Sequence, residues 1–329
     1  MNKINIGVTG TGSLIGQSIN KSILKSSSLK NKIDIIGFDY FKDTVGSFWC
    51  KKNYLLPDIL DTNVIELDYI EFIILRIKEE NLKLLFIGVD FELAIFSKYK
   101  EIIFNQTSCI VLVSKENVIG IADDKYKTYE FLINNNLTAP DSWLNSNLPK
   151  NIKFPLIVKP RRGARSIGVK KVNNQTELEI AISQTNNPII QEYIGNEETE
   201  YTCGLIFFNN ELKHSIALSR TLKAGNTYIS QFSKNTNKLI YEYISSIANK
   251  LKPFGSCNLQ LRVDNYGVPK LFEINARHSG TTYIRSLFGY NEVEYIINYI
   301  LFDNAIDFKL REGKVVRFYD EFFMPNIER

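Results

Sequence analysis

Short apolar runs alternate with helix-like stretches over the first third of the chain. Residues 13–25 carry apolar side chains at the spacing of one helical face, and segments such as 64–80 are expected to supply the crossovers between strands. Around these segments the pattern predicts four strands, at 3–8, 33–38, 84–89 and 109–113. This alternation of strand and helix indicates an α/β domain with a parallel, doubly wound sheet. We expect that domain to end near Gly120.

The pattern changes after this point to a mixture of helices and strands that favours an antiparallel sheet. Helices are predicted at 125–134, 176–184 and 237–250. Strands are predicted at 156–159, 169–172, 189–193, 200–208, 214–219, 256–264 and 269–275. The turn-forming sequence at 263–267 is expected to join the last two strands into a hairpin. The tail from Leu310 to Arg329 has little pattern, and no element is predicted there.

Composition narrows the class of protein. Of 329 residues, 44% are hydrophobic and 23% charged, which is ordinary for a globular protein and excludes disordered, collagen-like and coiled-coil chains. The net charge of +4 is too mild to argue for nucleic acid. The apolar runs are shorter than a membrane-spanning helix requires. The residues after Met1 contain no long apolar stretch, so we do not expect a secretion signal. We therefore expect neither a nucleic-acid nor a membrane partner.

Cysteine and histidine usage limits the chemistry further. The four cysteines are scattered without a C-x-x-C pair, so reduced thiols and a cytoplasmic location are the simplest interpretation. Only His214 and His278 are present, which nearly excludes a histidine-based zinc site.

The strongest local signal lies in the last predicted strand. Glu273, Asn275 and Arg277 share one face, because residues two apart on a strand point the same way. On the neighbouring strand Gln260 and Arg262 also share a face. A carboxylate and two amide oxygens beside a guanidinium are typical of a Mg²⁺ site next to a phosphate. A solvated face of an edge strand is the alternative. Apolar residues fill the opposite face: Leu259, Leu261, Phe272 and Ile274.

Two further segments carry weaker signals. Lys159 ends an apolar strand and is followed by a basic, glycine-bearing loop up to Gly168, which is able to cover phosphates with backbone N–H groups and guanidinium groups. The strand at 189–193 ends in a polar segment, and Glu200 follows it. Such a segment is able to pair with an adenine while a carboxylate accepts ribose hydroxyls. Neither segment is specific by itself.

In this order the segments resemble the ATP-grasp superfamily, most closely its carbamoyl-phosphate-synthetase-like branch, over about residues 115–290. Asp124-Lys125 with Thr128 and Pro140 is similar to the family's D-K-x-x-T…P motif, and 155–160 to its P-x-V-x-K-P strand. The motif E-x-N-x-R at 273–277 is the part of the resemblance that is most specific to the family. The resemblance implies a Rossmann-like pre-ATP-grasp domain over 1–120, then a two-lobed α+β ATP-grasp domain. Its small lobe is expected at 121–190 and its large lobe, with the metal and acceptor site, at 191–329.

The resemblance also implies roles for individual residues. ATP binding is expected from eight of them: Lys125, Lys159, Arg165, Ser166, Glu192, Tyr193, Ile194 and Glu200. Two Mg²⁺ ions, with Mn²⁺ as an alternative, are expected on Gln260, Glu273 and Asn275, where Glu273 bridges both. Many relatives have an acid in place of Gln260, although this branch tolerates Gln. The expected catalytic residues are Arg277, which contacts the transferred phosphate, Lys159 and Arg220.

The activity that the resemblance implies is that of an ATP-dependent, ADP-forming ligase. A small-molecule carboxylate becomes an acyl phosphate, and an amine then displaces phosphate to form an amide. A small-molecule kinase on the same fold is the first alternative, and a non-catalytic nucleotide-binding subunit is another. A homodimer is an expectation from the family. The identities of the acid and the amine stay open.

Three other features have competing interpretations. Gly10, Gly12 and Gly16 open a helix after the first strand and Asp39 ends the second, which would also suit an NAD-dependent oxidoreductase. Arg220 with Lys223 is either a grip for an anionic substrate or a basic surface pair. His278 is either a general base or a residue with a structural hydrogen bond.

Overall fold

The computed structural model describes residues 3–163 and 166–323 of the chain. Arg165, one of the predicted nucleotide-binding residues, lies outside the described residues. The described part contains three sheets, one parallel and two antiparallel. No helix in it is long and apolar enough to cross a lipid bilayer.

The first domain is a five-stranded parallel sheet in the order β3-β2-β1-β4-β5, which confirms the predicted doubly wound sheet. Its strands are β1 (Ile4–Thr9), β2 (Ile33–Asp39), β3 (Lys52–Leu55), β4 (Leu84–Phe86) and β5 (Ile110–Leu112). Its helices are α1 (Leu14–Leu24), α2 (Val45–Phe48), α3 (Glu66–Glu80), α4 (Leu93–Thr107) and α5 (Glu116–Asp123), with a 3₁₀ turn at Asp90–Glu92.

Four elements of this domain were not predicted, namely β3, α2, α4 and α5, and the third predicted strand is three residues shorter than expected. β3 is a four-residue edge strand with half of its residues exposed, so it lacks an apolar run. α4 starts directly after the 3₁₀ turn without a side-chain cap to mark it. The third predicted strand ends at Phe86, after which the Gly88 amide donates to the side-chain hydroxyl of Thr9 at 3.0 Å and the ladder with β1 stops. A Cβ atom on Gly88 would lie 2.0 Å from the Thr9 carbonyl oxygen.

The middle of the chain forms a small four-stranded antiparallel sheet in the order β6-β9-β7-β8. Its strands are β6 (Ser142–Trp143), β7 (Leu156–Pro160), β8 (Lys170–Val172) and β9 (Pro188–Glu192). Helix α6 (Lys125–Asn134) precedes it, α7 (Gln175–Ser183) packs on it, and a 3₁₀ turn lies at Asn145–Asn147. This sheet has a core of its own: Leu156, Val158, Val172, Leu178, Ala181 and Ile190.

The last part forms a six-stranded antiparallel sheet in the order β14-β13-β10-β11-β12-β15. Its strands are β10 (Glu200–Phe208), β11 (Glu211–Lys223), β12 (Asn226–Phe232), β13 (Gly255–Val263), β14 (Pro269–Asn275) and β15 (Gly313–Val316). Its helices are α8 (Lys238–Leu251), α9 (Thr282–Leu287) and α10 (Glu292–Phe302), with a 3₁₀ turn at Glu197–Thr199. β15 falls in the tail where no element was predicted. It exists through pairing with β12, which only the folded chain brings near.

The predicted domain limits at 120 and 190 both fall inside an element, since α5 crosses the first and β9 crosses the second. They stay predictions. The cores show a different grouping. Side chains from the parallel sheet and from the six-stranded sheet belong to the same two apolar clusters, and α1 packs on α9 and α10. The first domain and the large sheet therefore share cores, while the small sheet stands apart.

A buried ion pair lies where α9 and α10 meet the large sheet. Arg285 and Glu292 are both fully buried, and Arg285 Nη1 donates to both carboxylate oxygens at 3.0 and 2.9 Å. Burial alone would raise the pKa of Glu292, but Arg285, His278 and Thr282 lower it to about 2. His278 Nδ1 lies 3.1 Å from Glu292 Oε1, so His278 has the structural hydrogen bond rather than a place in the site.

We expect Arg285→Met to destabilise the fold strongly, because it leaves the Glu292 carboxylate buried without its guanidinium. Breaking a buried pair in this way costs about 3–5 kcal/mol of unfolding free energy. Urea denaturation followed by circular dichroism measures the change. Arg76→Met is the matched control, since Arg76 pairs with Glu79 on α3, where the two side chains are 26% and 41% exposed. Equal losses in the two variants would contradict this assignment.

Candidate active site

A cavity of about 250 Å³ lies between the small sheet and the large sheet. β7 and β9 line one side, and β11, β13 and β14 line the other. Most of the predicted site residues line this cavity: Lys125, Lys159, Ser166, Glu192, Tyr193, Ile194, Glu200, Arg220, Gln260 and Glu273. Side chains separated by up to about 150 positions are thus brought to one place. Asn275 and Arg277 adjoin this set through hydrogen bonds.

The register of β13 and β14 sets the centre of the site. Gln260 lies directly opposite Glu273, and Asn258 opposite Asn275. The pairing then shifts by one residue between Gln260 and Leu261, which is a β-bulge. Phe272 therefore lines the cavity, where the Lys159 ammonium lies 5.3 Å from its ring centroid. The prediction that Phe272 fills the opposite face was wrong, because strict alternation does not hold across a bulge.

Two amide side chains link Glu273 to two guanidinium groups. Gln260 Nε2 and Asn275 Nδ2 both donate to Glu273 Oε1, at 3.2 and 2.9 Å. Arg220 Nη2 donates to the oxygen of Gln260 at 2.7 Å. Arg277 Nη2 donates to the oxygen of Asn275 at 2.9 Å. We call these five side chains the glutamate network.

The first domain contributes Asp90 to this network. Nε and Nη2 of Arg277 both lie 2.7 Å from Asp90 Oδ1, and the Arg277 side chain is only 9% exposed. Asp90 was missed in the sequence, although it follows β4 at the carboxyl edge of a parallel sheet, where ligands commonly bind. The same turn is anchored by Glu92, which is fully buried and accepts hydrogen bonds from Thr9, Tyr40 and Tyr69.

Two lysines give the cavity positive charge. Lys159 Nζ donates to the amide oxygen of Gln191 at 2.8 Å, and Lys125 Nζ to the Gly163 carbonyl at 2.8 Å. Burial, and then the charge of Lys125, lowers the pKa of Lys159 to about 7. Lys125 begins α6, where Asp124 is the N-cap and also pairs with Arg161 at 2.6 Å. Ammonium groups that bond to neutral oxygens in a cavity are suited to an anionic ligand.

Glu200 is already fully hydrogen-bonded. Arg220 donates to Oε1 at 2.9 and 2.7 Å, and Arg262 Nε and Nη2 lie 2.9 and 2.8 Å from Oε2. Four N–H groups match the lone-pair sites of a carboxylate. A sugar at this corner would thus meet guanidinium groups as well as the predicted ribose carboxylate. Arg220 also does not form a grip with Lys223, which is exposed and lies over the Tyr228 ring at 5.1 Å.

The predicted adenine segment lies at the end of β9. Its side chains are held by basic neighbours: Lys270 Nζ lies 3.4 Å from a Glu192 oxygen, and Lys171 Nζ lies 4.0 Å from the Tyr193 ring centroid. The Ile194 carbonyl accepts from Arg262 Nη1 at 3.2 Å. Ser166 begins the described part of the loop after the gap and adopts a positive φ of 55°.

The glycine turn of the first domain, residues 10–16, is held by hydrogen bonds to the carboxylate of Asp39. Asp39 Oδ2 accepts from the Gly12 amide at 2.6 Å, and from the hydroxyls of Thr11 and Thr44 at 2.8 and 2.9 Å. A Cβ atom on Gly16 would lie 2.2 Å from the Gly10 carbonyl oxygen, so this glycine is required for packing. The carboxylate that a dinucleotide would need for its ribose is therefore occupied within the turn.

The oxygens of the glutamate network suit a hard divalent cation in their chemistry. In the described part of the chain, no group of three His, Cys, Asp or Glu side chains is arranged to hold a metal. Any cation here thus depends on Glu273, on amide oxygens and on oxygens of a ligand. The amide oxygens of Gln260 and Asn275 both already accept from arginine.

Part of the chain matches a known protein family. Residues 122–281 match the family of ATP-grasp domains. This segment is an ATP-grasp domain. The superfamily predicted from the sequence is therefore confirmed, and so is the mixed α/β fold with a parallel first domain. The matched range contains Lys125, Lys159 and every member of the glutamate network, and it begins shortly after the last strand of the parallel sheet.

The chain is also similar to individual relatives and to solved structures. A D-alanine–D-alanine ligase from Thermosipho africanus is 28% identical over 169 residues, which are 46% of this chain and 43% of that protein. The L-amino acid ligase from Bacillus licheniformis superposes over 92% of this chain and 75% of its own, with 15% identity and a TM-score of 0.69. N5-carboxyaminoimidazole synthetase from Staphylococcus aureus, complexed with ADP, superposes over 90% and 77%, with 13% identity and a TM-score of 0.69.

These likenesses differ in extent. The matches to curated relatives span less than half the length of those proteins. The structural superpositions cover nearly the whole chain, including its first domain, at low sequence identity. They show that the fold of the parallel domain and of both later sheets is shared.

We expect Lys159→Met to raise the unfolding free energy most at pH 7 and less at pH 8.5. Burial lowers the pKa of Lys159 to about 7 in the folded chain, below the value of 10.5 that is ordinary for an exposed lysine. The unfolded chain thus binds more protons between these values, and wild-type stability rises with pH relative to the variant. Urea denaturation at both pH values measures the difference. The exposed Lys250→Met is the control. A difference independent of pH would show that Lys159 keeps an ordinary pKa.

Proposed function

We propose that this chain is an ATP-dependent, ADP-forming ligase that activates a small-molecule carboxylate as an acyl phosphate for attack by an amine. One observation carries the proposal. The glutamate network, with its carboxylate and two guanidinium groups, adjoins the same cavity as the Lys125 and Lys159 ammonium groups. Phosphoryl transfer needs positioned positive charge and little covalent help from the protein, which is what this arrangement supplies.

The triphosphate is assigned to the lysine side of the cavity. Lys159 is 5% exposed, so its charge acts in a poorly solvated environment, where attraction to phosphate is strong. Because its pKa of about 7 lies near neutrality, phosphate binding favours its protonated form and takes up a proton above pH 7. The adenine is assigned to the end of β9, between Tyr193, Ile194 and the apolar side chains of Ile157 and Leu222 that also line the cavity.

A divalent cation bound at Glu273 would supply charge neutralisation to the β- and γ-phosphates. The chain's own groups do the rest. Arg277 holds the transferred phosphoryl group, and Asp90 fixes the guanidinium plane through its contacts with Nε and Nη2. The small sheet covers the nucleotide on the other side and limits access of water to the reacting phosphorus. Residues 164–165 are not described, so the phosphate contact expected of Arg165 stays a prediction.

The reaction balances in two steps. A carboxylate oxygen of the acid attacks the γ-phosphorus and the bond to the bridging oxygen breaks, which gives an acyl phosphate and ADP. The amine nitrogen then attacks the acyl carbon, phosphate leaves, and the nitrogen loses a proton. No observation in the cavity favours transfer to a hydroxyl, so the kinase alternative is left as an outcome of the test below.

The comparisons support the class of reaction. Two of the proteins named above are called ligases that join amino acids, and amino acids are therefore the first substrates to try. The chain spans less than half the length of its curated relatives, so its substrates are a proposal only. The domain limits at 120 and 190 and a homodimer are likewise proposed rather than established.

Glu273→Ala is expected to lower acid-dependent ADP formation by at least about 100-fold, the scale seen when one preorganised charge is removed from a reaction site. The assay couples ADP to NADH oxidation in a screen of carboxylic acids, first amino acids, with hydroxylamine as the amine. Hydroxamate formation is expected in the wild type, because hydroxylamine traps an acyl phosphate.

The matched control is Glu66→Ala, an exposed carboxylate that pairs with Lys98 in the first domain. It should keep wild-type activity. ADP formation without hydroxamate would support a kinase instead. Full ADP formation by Glu273→Ala would contradict the site itself.

A further inference from the structure

The two amides of the glutamate network are turned away from metal binding. Only the oxygen of an amide is able to ligate a cation, since its nitrogen has two donors and no free lone pair. The oxygen of Gln260 accepts from Arg220 at 2.7 Å, and the oxygen of Asn275 accepts from Arg277 at 2.9 Å. A cation on either oxygen would therefore lie beside a guanidinium charge.

Each of the two amides is held in this orientation by its two hydrogen-bond partners, one arginine and Glu273. If the Gln260 amide were reversed, its NH₂ group would face the N–H groups of Arg220. Its oxygen would then face Glu273 Oε1, with which its nitrogen now makes a 3.2 Å hydrogen bond. The same argument holds for Asn275, whose nitrogen lies 2.9 Å from Glu273 Oε1. Reversal exchanges two attractive contacts for two repulsive ones.

Each arginine of the network is held by a carboxylate on its other side. Arg220 is 8% exposed and donates twice to Glu200, whose side chain is 7% exposed. Arg277 is 9% exposed and donates to Asp90 from Nε. These contacts reach into β10 and into the first domain. The amide oxygens thus face charges that the fold itself keeps there.

One atom of the network is left for a cation. In the described residues, both amides donate to Oε1 of Glu273, and no hydrogen bond reaches Oε2. Mg²⁺ in phosphate-transfer sites is commonly held by one or two carboxylates together with substrate phosphates and waters. A single carboxylate oxygen without a hydrogen bond, beside a cavity lined by Lys125 and Lys159, fits this pattern.

We propose that the site, given the ATP-dependent function proposed above, takes one divalent cation rather than two, with Glu273 as its only protein ligand. Gln260 and Asn275 are positioning residues that hold the Glu273 carboxylate through Oε1. Arg220 and Arg277 supply the positive charge that a second ion would otherwise bring. This differs from the two ions on Gln260, Glu273 and Asn275 that the family resemblance implies.

The test is a Mn²⁺ titration of the full chain in complex with the non-hydrolysable analogue AMP-PNP, with free Mn²⁺ followed by electron paramagnetic resonance. We expect one Mn²⁺ per chain in the wild type. Gln260→Met, which keeps the length of the side chain and removes its oxygen, should still take one. Arg220→Met should take a second, because it frees the Gln260 oxygen from its guanidinium.

The outcomes separate this inference from the proposed function. Two Mn²⁺ per wild-type chain, or loss of the ion in a folded Gln260→Met variant, would overturn the single-ion site while leaving nucleotide binding intact. Absence of AMP-PNP binding would overturn the proposed function and the inference together. Arg76→Met, far from the cavity on α3, is the control for a general effect of losing an arginine, and it should match the wild type. Where Arg220→Met fails to fold by circular dichroism, the wild-type and Gln260→Met results decide.

Discussion

The Glu273 carboxylate is held in a partly buried position by hydrogen bonds on one of its oxygens, and the rest of the candidate site is arranged around this constraint. One of its oxygens is fixed by two amide N–H groups, and each amide is fixed in turn by an arginine. A partly buried carboxylate that receives hydrogen bonds on one oxygen keeps the other available. The network thus orients the Glu273 carboxylate through Oε1, and within the described residues no hydrogen bond reaches Oε2.

The contacts around Glu273 come from distant parts of the chain. β13 and β14 bring the amides to Glu273 through their register, and β11 supplies Arg220. The first domain supplies Asp90 behind Arg277, and it shares apolar cores with the large sheet, so this contact is set by a packed interface. The small sheet has a separate core and brings Lys159 to the opposite side of the cavity. Positive charge from one sheet therefore faces the carboxylate of the other.

Much of the site could be predicted because its signals are local. The two-residue period of a strand places Glu273 and Asn275 on one face, and a strand that ends in Lys159 is visible in the sequence. The position of Phe272 could not be predicted, because a bulge inserts one residue and reverses the alternation. Asp90 and the engagement of Arg220 with Glu200 depend on contacts between distant segments, and single-sequence patterns do not contain them. The edge strands β3 and β15 were missed for the same reason, since their pairing rather than their composition makes them strands.

The central claim is that a nucleotide binds between the small and large sheets and not at the glycine turn of the first domain. Photolabelling with 8-azido-ATP, followed by mass spectrometry of the tryptic peptides, tests it most directly. The account predicts labels in the segments 157–167 and 188–194, with protection by excess ATP. Labels confined to residues 7–16, or protection by NAD but not by ATP, would contradict it.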